Sequence, residues 1–169
     1  MQKTTTGKTY SASDLVSFAA CSHLTYLDLI NLDTPLEKAA DSEEAILIQD
    51  KGFAHEAAYL ASLEKRYGKV LNLQKKGASD VESAHDTIAG MKTGAQVIFQ
   101  ATFLSAPWVG HSDFLVRVET PSLLGDYSYE VEDTKLARTT SAKFILQLCL
   151  YSEMVAEVQG FLPKHVHVV

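Results

Sequence analysis

The sequence predicts an α/β domain, a central mixed sheet flanked by helices, with the order helix, three strands, helix, strand in its core. Three observations lead there. Up to about residue 94, apolar residues recur three and four apart between recognisable helix caps. From residue 95 the pattern changes to three stretches rich in Val, Phe, Tyr and Trp, separated by turn formers. A last helical stretch then ends at a glycine and leads into one more β-like segment.

The first helix is predicted in "YSASDLVSFAACSHLTYLDL", where Ser11 stands three residues before Asp14 as in a capping box, with Leu15 and Phe18 at helical spacing. "NLDTPLEKAADS" reads as a loop around Pro35. A second helix starts at Asp41 and Glu44 and runs to Tyr67, with Gly68 placed to end it. "KVLNLQ" reads as a short strand. Asp80 opens a third helix whose Val81, Ala84, Ile88 and Met91 share a face, and Gly94 closes it. "QVIFQATFL", "WVGHSDFLVRVE" and "YSYEVEDTKL" follow as three antiparallel strands, with turns at "SAP" and "PSLLGD". In "SAKFILQLCLYSEMVAEVQG", Phe144, Leu148, Tyr151, Val155 and Val158 line one helical face and Gly160 sits at the C-terminal cap. "KHVHVV" is expected as a final strand, and its abrupt end predicts a fragment of something longer.

A chain of 169 residues is expected to form one domain, here with a helical part over 10–94 and a sheet-and-helix part over 95–169. Nothing approaches the roughly 18 apolar residues of a membrane span, and the polar start lacks a secretory signal, so a cytoplasmic protein is expected. Cys21 and Cys149 are far apart and lack metal-binding spacing; they read as buried thiols. A net charge of −6 argues against a bulk electrostatic grip on nucleic acid. Any such role must rest on a local site.

The stretch "YEVEDTKLAR" concentrates the chemistry. Strand alternation puts Tyr129, Val131, Asp133 and Lys135 on one face and Glu130, Glu132 and Thr134 on the other. In the preceding strand, Asp113 interrupts an apolar run, where a charge is costly unless paired or bound to a metal. Two aspartates and a lysine on neighbouring strands suit phosphodiester hydrolysis. Carboxylates hold Mg²⁺ or Mn²⁺, which polarises the phosphoryl group, and an ammonium stabilises charge developing on the phosphate. A D-x-K by itself is also an ordinary ion-paired strand edge. Asp113, a strand-borne aspartate, brings the metal reading level with that one.

Taken in order, "GHSDFL", "YEVEDTK" and "QLCLY" resemble successive motifs of the RecB-like branch of the PD-(D/E)XK nuclease superfamily, over the chain from about Tyr10 to its end. The resemblance implies a restriction-endonuclease-like core (αβββαβ) and a metal-dependent deoxyribonuclease of DNA repair, recombination or processing, more an exonuclease than an endonuclease. It implies DNA as a partner and a helicase domain or partner in a longer protein. It assigns Asp113 and Asp133 as metal-binding acids and Lys135 as the lysine that assists the attack. His55 in "GFAHEAAYL" resembles the family's additional metal ligand; Phe53, Ala57 and Leu60 define an apolar arc that His55 faces away from, so a surface histidine is the other reading. Gln147 and Tyr151 match the family's Q-x-x-x-Y motif near DNA, with Tyr151 equally readable as core. Arg138 and Lys143 add positive charge where a DNA backbone would lie. Cys21 resembles the first cysteine of iron–sulfur relatives, but the trio that completes such a cluster is missing, so this chain alone supports no cluster. Cys149 reads as a small buried hydrophobe.

Other chemistries fit less well. "GHSDF" lacks the second glycine of a nucleophile elbow. There is no GxxxxGK loop for ATP. His165 and His167 share a strand face, but the sequence offers no third ligand beside them. The alternative from another class is a non-catalytic nucleic-acid-binding or assembly module that keeps the nuclease fold.

Overall fold

The computed structural model describes residues 1–4, 7–75 and 77–169. The chain runs β1 (Gln2–Thr4), β2 (Gly7–Ser11), α1 (Ala12–Ala20), α2 (Ser22–Asp33), α3 (Glu43–Tyr67), β3 (Leu71–Asn72), α4 (Asp80–Lys92), β4 (Val97–Ser105), β5 (Trp108–Val118), β6 (Ser128–Asp133), α5 (Ala142–Gln159) and β7 (Val166–Val168). The three strands expected from the change of period form an antiparallel meander, β4 with β5 and β5 with β6. β3 joins β4, and β7 joins β6, both in parallel. β2 meets β5 in parallel only at Tyr10 and Ser11. The sheet is therefore mixed, as expected, and the helix, three strands, helix, strand order is present as α4, β4, β5, β6, α5, β7.

Both faces of the sheet are buried, which is why its strands read as nearly continuous apolar runs. Against one face, Met91 of α4 and Leu148, Tyr151, Met154 and Val155 of α5 pack on Ile98, Ala101, Phe103, Leu115, Tyr129 and Val131. Against the other, Leu63 of α3, with Tyr59 and Leu60, packs on Val97, Phe99, Phe114 and Val116. Gly110 lets α5 come close: a Cβ there would lie 2.5 Å from Met154 Sδ and 3.1 Å from Tyr151 Cδ1.

The caps follow local chemistry. Ser11 and Asp14 form the expected capping box of α1, and Ser79 with Glu82 forms another on α4. Ser42 caps α3, whose last turn carries Lys65 and Arg66 at the negative end of the helix dipole. Gly68, Gly94 and Gly160 follow the helices with φ of 80, 72 and 89°, a region open to glycine at little cost.

Several expectations are corrected. The first helix is two, because Cys21 adopts extended backbone between α1 and α2. The polar start, for which the sequence gives no element, contributes the antiparallel pair β1 and β2, whose backbone pairing carries no hydrophobic signature. The face of α3 nearest the sheet comprises Gly52, His55, Glu56, Tyr59, Leu60 and Leu63, whereas Phe53 is 61% exposed. The apolar arc through Phe53 and Ala57 is thus not the packed one. Val81 is exposed, and Thr87 takes a place in the buried stripe of α4, its hydroxyl accepting from Thr102 N at 2.9 Å. Cys21 and Cys149 are both exposed, not buried, the first at the α1–α2 junction and the second on the outer side of α5. Among the described residues no helix is long and apolar enough to cross a membrane.

Candidate active site

The β5–β6 ladder ends at the pair Phe114↔Glu132. One position further in the same register, Asp113 faces Asp133, and their carboxyl groups come within hydrogen-bonding reach. On its other side Asp113 faces Gln100 of β4. The β4–β5 register is constant from Val97↔Val116 to Ser105↔Trp108, yet Gln100 and Asp113 are left out of it. Gln100 has φ of 59°, among the described residues the only positive φ outside glycine. Such backbone is disfavoured for a residue with a side chain and concentrates at functional positions.

This break in the ladder creates the site. Gln100 Nε2 donates to Glu56 Oε1 at 2.8 Å, so α3 is tied to the gap between the strands. Thr134 donates to Asp113 Oδ2 from its backbone N at 3.2 Å and from its hydroxyl at 3.4 Å. Lys135 Nζ pairs with Asp133 Oδ2, and its backbone N donates to the Val169 carbonyl at 2.9 Å. β7 thereby holds the end of β6 in place. Glu56, Asp113, Thr134 and Lys135, with Gln49, Gly52 and Phe53, line an open cavity of about 270 Å³. A larger apolar cavity of about 310 Å³ lies under α1, between Phe18 and Trp108, and contains none of these residues.

Asp133 is 1% exposed, and neither of its oxygens accepts a well-formed hydrogen bond. Burial, reinforced by the neighbouring Asp113 carboxyl, pushes its pKa up to about 7, against the opposing pull of Lys135. Glu56 is raised in the same direction, by burial and by the charge of Asp113, with the Gln100 bond and Lys135 opposing. One ammonium beside three carboxylates leaves negative charge uncompensated. A divalent cation is the chemical species that would compensate it, and carboxylate oxygens are its preferred donors.

The structure brings Asp113, Asp133 and Lys135 together as the strand pattern anticipates, and it adds Glu56, which sequence reasoning left without a role. A signal for Glu56 was present in its place next to His55, but a glutamate on a helix is too common to single out without its neighbours. Gln100 carried no signal, since its backbone conformation is invisible in the sequence. His55 turns its Nε2 to within 3.5 Å of the Val169 carbonyl. Among the described residues no three His, Cys, Asp or Glu side chains are already disposed as a metal cage.

Gln147 Nε2 donates to the Tyr151 hydroxyl at 3.0 Å. Tyr151 is buried with Leu148 and Val155, and burial raises its pKa to about 12, with Asp133 and Asp113 contributing in the same direction. The core and site readings of Tyr151 are therefore compatible: its ring packs while its hydroxyl lies in the field of both aspartates. Arg138 and Lys143 are exposed on the segment leading into α5 and its first turn, Lys143 with its Nζ 5.2 Å from the Phe144 ring centroid. No family model, curated protein or solved structure matches this chain.

Proposed function

We propose that this protein is a divalent-metal-dependent deoxyribonuclease with a restriction-endonuclease-like core of the RecB-like PD-(D/E)XK type. The observation that carries the reading is the buried Asp133, without a well-formed hydrogen bond, set across β5 and β6 from the half-buried Asp113, with Lys135 beside it. Strand-borne carboxylates at a ladder break, on the edge of an open cavity, are costly for a merely structural role. The order of elements and the "GHSDFL", "YEVEDTK" and "QLCLY" motifs fit the same reading.

The carboxylates of Asp113 and Asp133 would hold Mg²⁺ or Mn²⁺; the resemblance adds His55, an imidazole that would make Mn²⁺ more acceptable, although its Nε2 lies beside the Val169 carbonyl. Bound there, the ion supplies Lewis-acid polarisation of a phosphoryl oxygen. The chain's own residues do the rest. Lys135 places a positive charge where negative charge builds on the phosphate. The Thr134 bonds fix the orientation of Asp113, and Gln100 fixes that of Glu56. Tyr151 and Gln147 position the substrate strand, while Arg138 and Lys143 meet its backbone.

The test is cleavage of end-labelled single- and double-stranded DNA in Mn²⁺, Mg²⁺ and EDTA, with Asp133→Ala and Lys135→Ala alongside. Metal-dependent cutting that disappears in both folded variants is expected; a wild-type rate in either one overturns the assignment. The second reading, a non-catalytic module with the same fold, draws on the absence of a preassembled three-ligand cage among the described residues. It predicts no cutting in any metal and undiminished DNA binding by Asp133→Ala.

A further inference from the structure

His165 and His167 shared a strand face in the sequence but had no third ligand. The fold provides one. β7 lies parallel to β6 with Glu132↔His167 in register, so both imidazoles project over the sheet face that carries Glu130 and Glu132. His165 Nδ1 lies 3.0 Å from Glu130 Oε1 and His167 Nε2 lies 2.8 Å from Oε2. Glu130 is 8% exposed, whereas the side chains of His165 and His167 are 69% and 42% exposed. A nearly buried carboxylate is thus met by two solvent-exposed imidazole nitrogens.

We propose that Glu130, His165 and His167 form a binding site for a transition-metal cation of the Zn²⁺ class, distinct from the Asp113–Asp133 site. Each imidazole nitrogen meets the carboxylate across a position that must be filled by a proton or by another cation. In a tetrahedral site with bonds of 2.0–2.2 Å, neighbouring ligand atoms stand about 3.3 Å apart; the two nitrogen-to-oxygen contacts are close to that spacing, but the two rings, 6.3 Å apart between centroids, do not yet converge on one point. As it stands the cluster is a hydrogen-bonded triad, each histidine on its own oxygen. Cation entry requires the rings to turn toward one another, which their exposure allows. Two imidazoles and one carboxylate prefer Zn²⁺, Co²⁺ or Ni²⁺ to Mg²⁺.

The surroundings favour a positive charge. Glu132 projects from the same face of β6 beside His167 and accepts from Tyr59 of α3 at 2.5 Å, so two carboxylates share this surface. Burial acts to raise the pKa of Glu130, but the bonds from His167 and His165 together hold it below the ordinary carboxylate value. The bound ion would fasten β7 to β6, and β7 in turn bonds Asp133 O and Lys135 N through Val169. The inference does not depend on the nuclease reading, since Glu130 and Asp133 lie on opposite faces of β6.

The test is a calorimetric titration of the whole chain with Zn²⁺ after EDTA stripping, for wild type, His167→Gln and Asp113→Asn. One Zn²⁺ equivalent should survive in Asp113→Asn. Losing even an outer-sphere partner costs metal affinity roughly 10–100-fold, so losing a ligand in His167→Gln should weaken that equivalent at least about 100-fold. An isotherm unchanged by His167→Gln overturns the proposal. Ni²⁺-induced paramagnetic broadening of the two ring resonances in the wild-type chain decides the matter without any variant: broadening of both His165 and His167 supports the site, and sharp lines refute it.

Discussion

Asp113 and Asp133 face one another one register position beyond the last pair of the β5–β6 ladder, with Lys135 on the second and Thr134 bonded to the first. Neighbouring strands thus deliver two carboxyl groups to one point where neither is fully compensated. Stability is given up there, and the sign of several measurable effects follows.

In metal-free protein, Asp133 titrates near pH 7 when folded and near its ordinary value of 3.8 when unfolded. Between these values the folded state binds more protons than the unfolded state, so stability falls as pH rises from about 4 to about 7. Asp133→Asn should reduce that slope, leaving the same-signed contribution of Glu56, and raise the melting temperature at pH 8. Thermal melts in EDTA across this range check it, and an unchanged slope would refute the assigned titration.

Glu56→Gln keeps a hydrogen-bonding partner for Gln100 but deletes a charge that faces Asp113. We expect Mn²⁺ affinity to drop about tenfold, by analogy with other groups that surround metal ligands, with little change in stability. Calorimetric titration with Mn²⁺ measures this directly.

Tyr151→Phe retains the packed ring and removes the hydroxyl that accepts from Gln147. A stability loss of about 0.5–1.5 kcal/mol is expected from the missing hydrogen bond, together with a clear reduction in DNA cleavage. Denaturant melts and a cleavage assay on the same sample separate the two effects. A purely structural tyrosine would leave the cleavage rate per folded molecule unchanged.

Gly110→Ala should destabilise by about 1–3 kcal/mol, because the added methyl would lie 2.5 Å from Met154 Sδ and 3.1 Å from Tyr151 Cδ1, and these packed side chains have to give way. Its melting temperature is the readout.

Both thiols should react rapidly with a thiol reagent in the folded protein, since Cys21 and Cys149 are exposed. A titration that finds fewer than two before denaturation would contradict this.

The sequence by itself determined the elements whose cause is local. The capping box at Ser11, the ends of α3 and α5 at Gly68 and Gly160, and the change from helical to strand period near residue 95 all arise within a few residues, and each is found where the pattern placed it. Alternation along one strand likewise sorted Asp133 from Glu130 and Glu132. Tertiary structure decided whatever depends on which strand lies beside which. It set Glu56 against Asp113, gave Gln100 its strained backbone, and supplied Glu130 as the partner of His165 and His167. It also selected the packed face of α3, because one buried leucine and a tyrosine bonded to Glu132 orient that helix, while Phe53 faces outward. Local rules state which side chains share a face; only the register between strands states what that face meets.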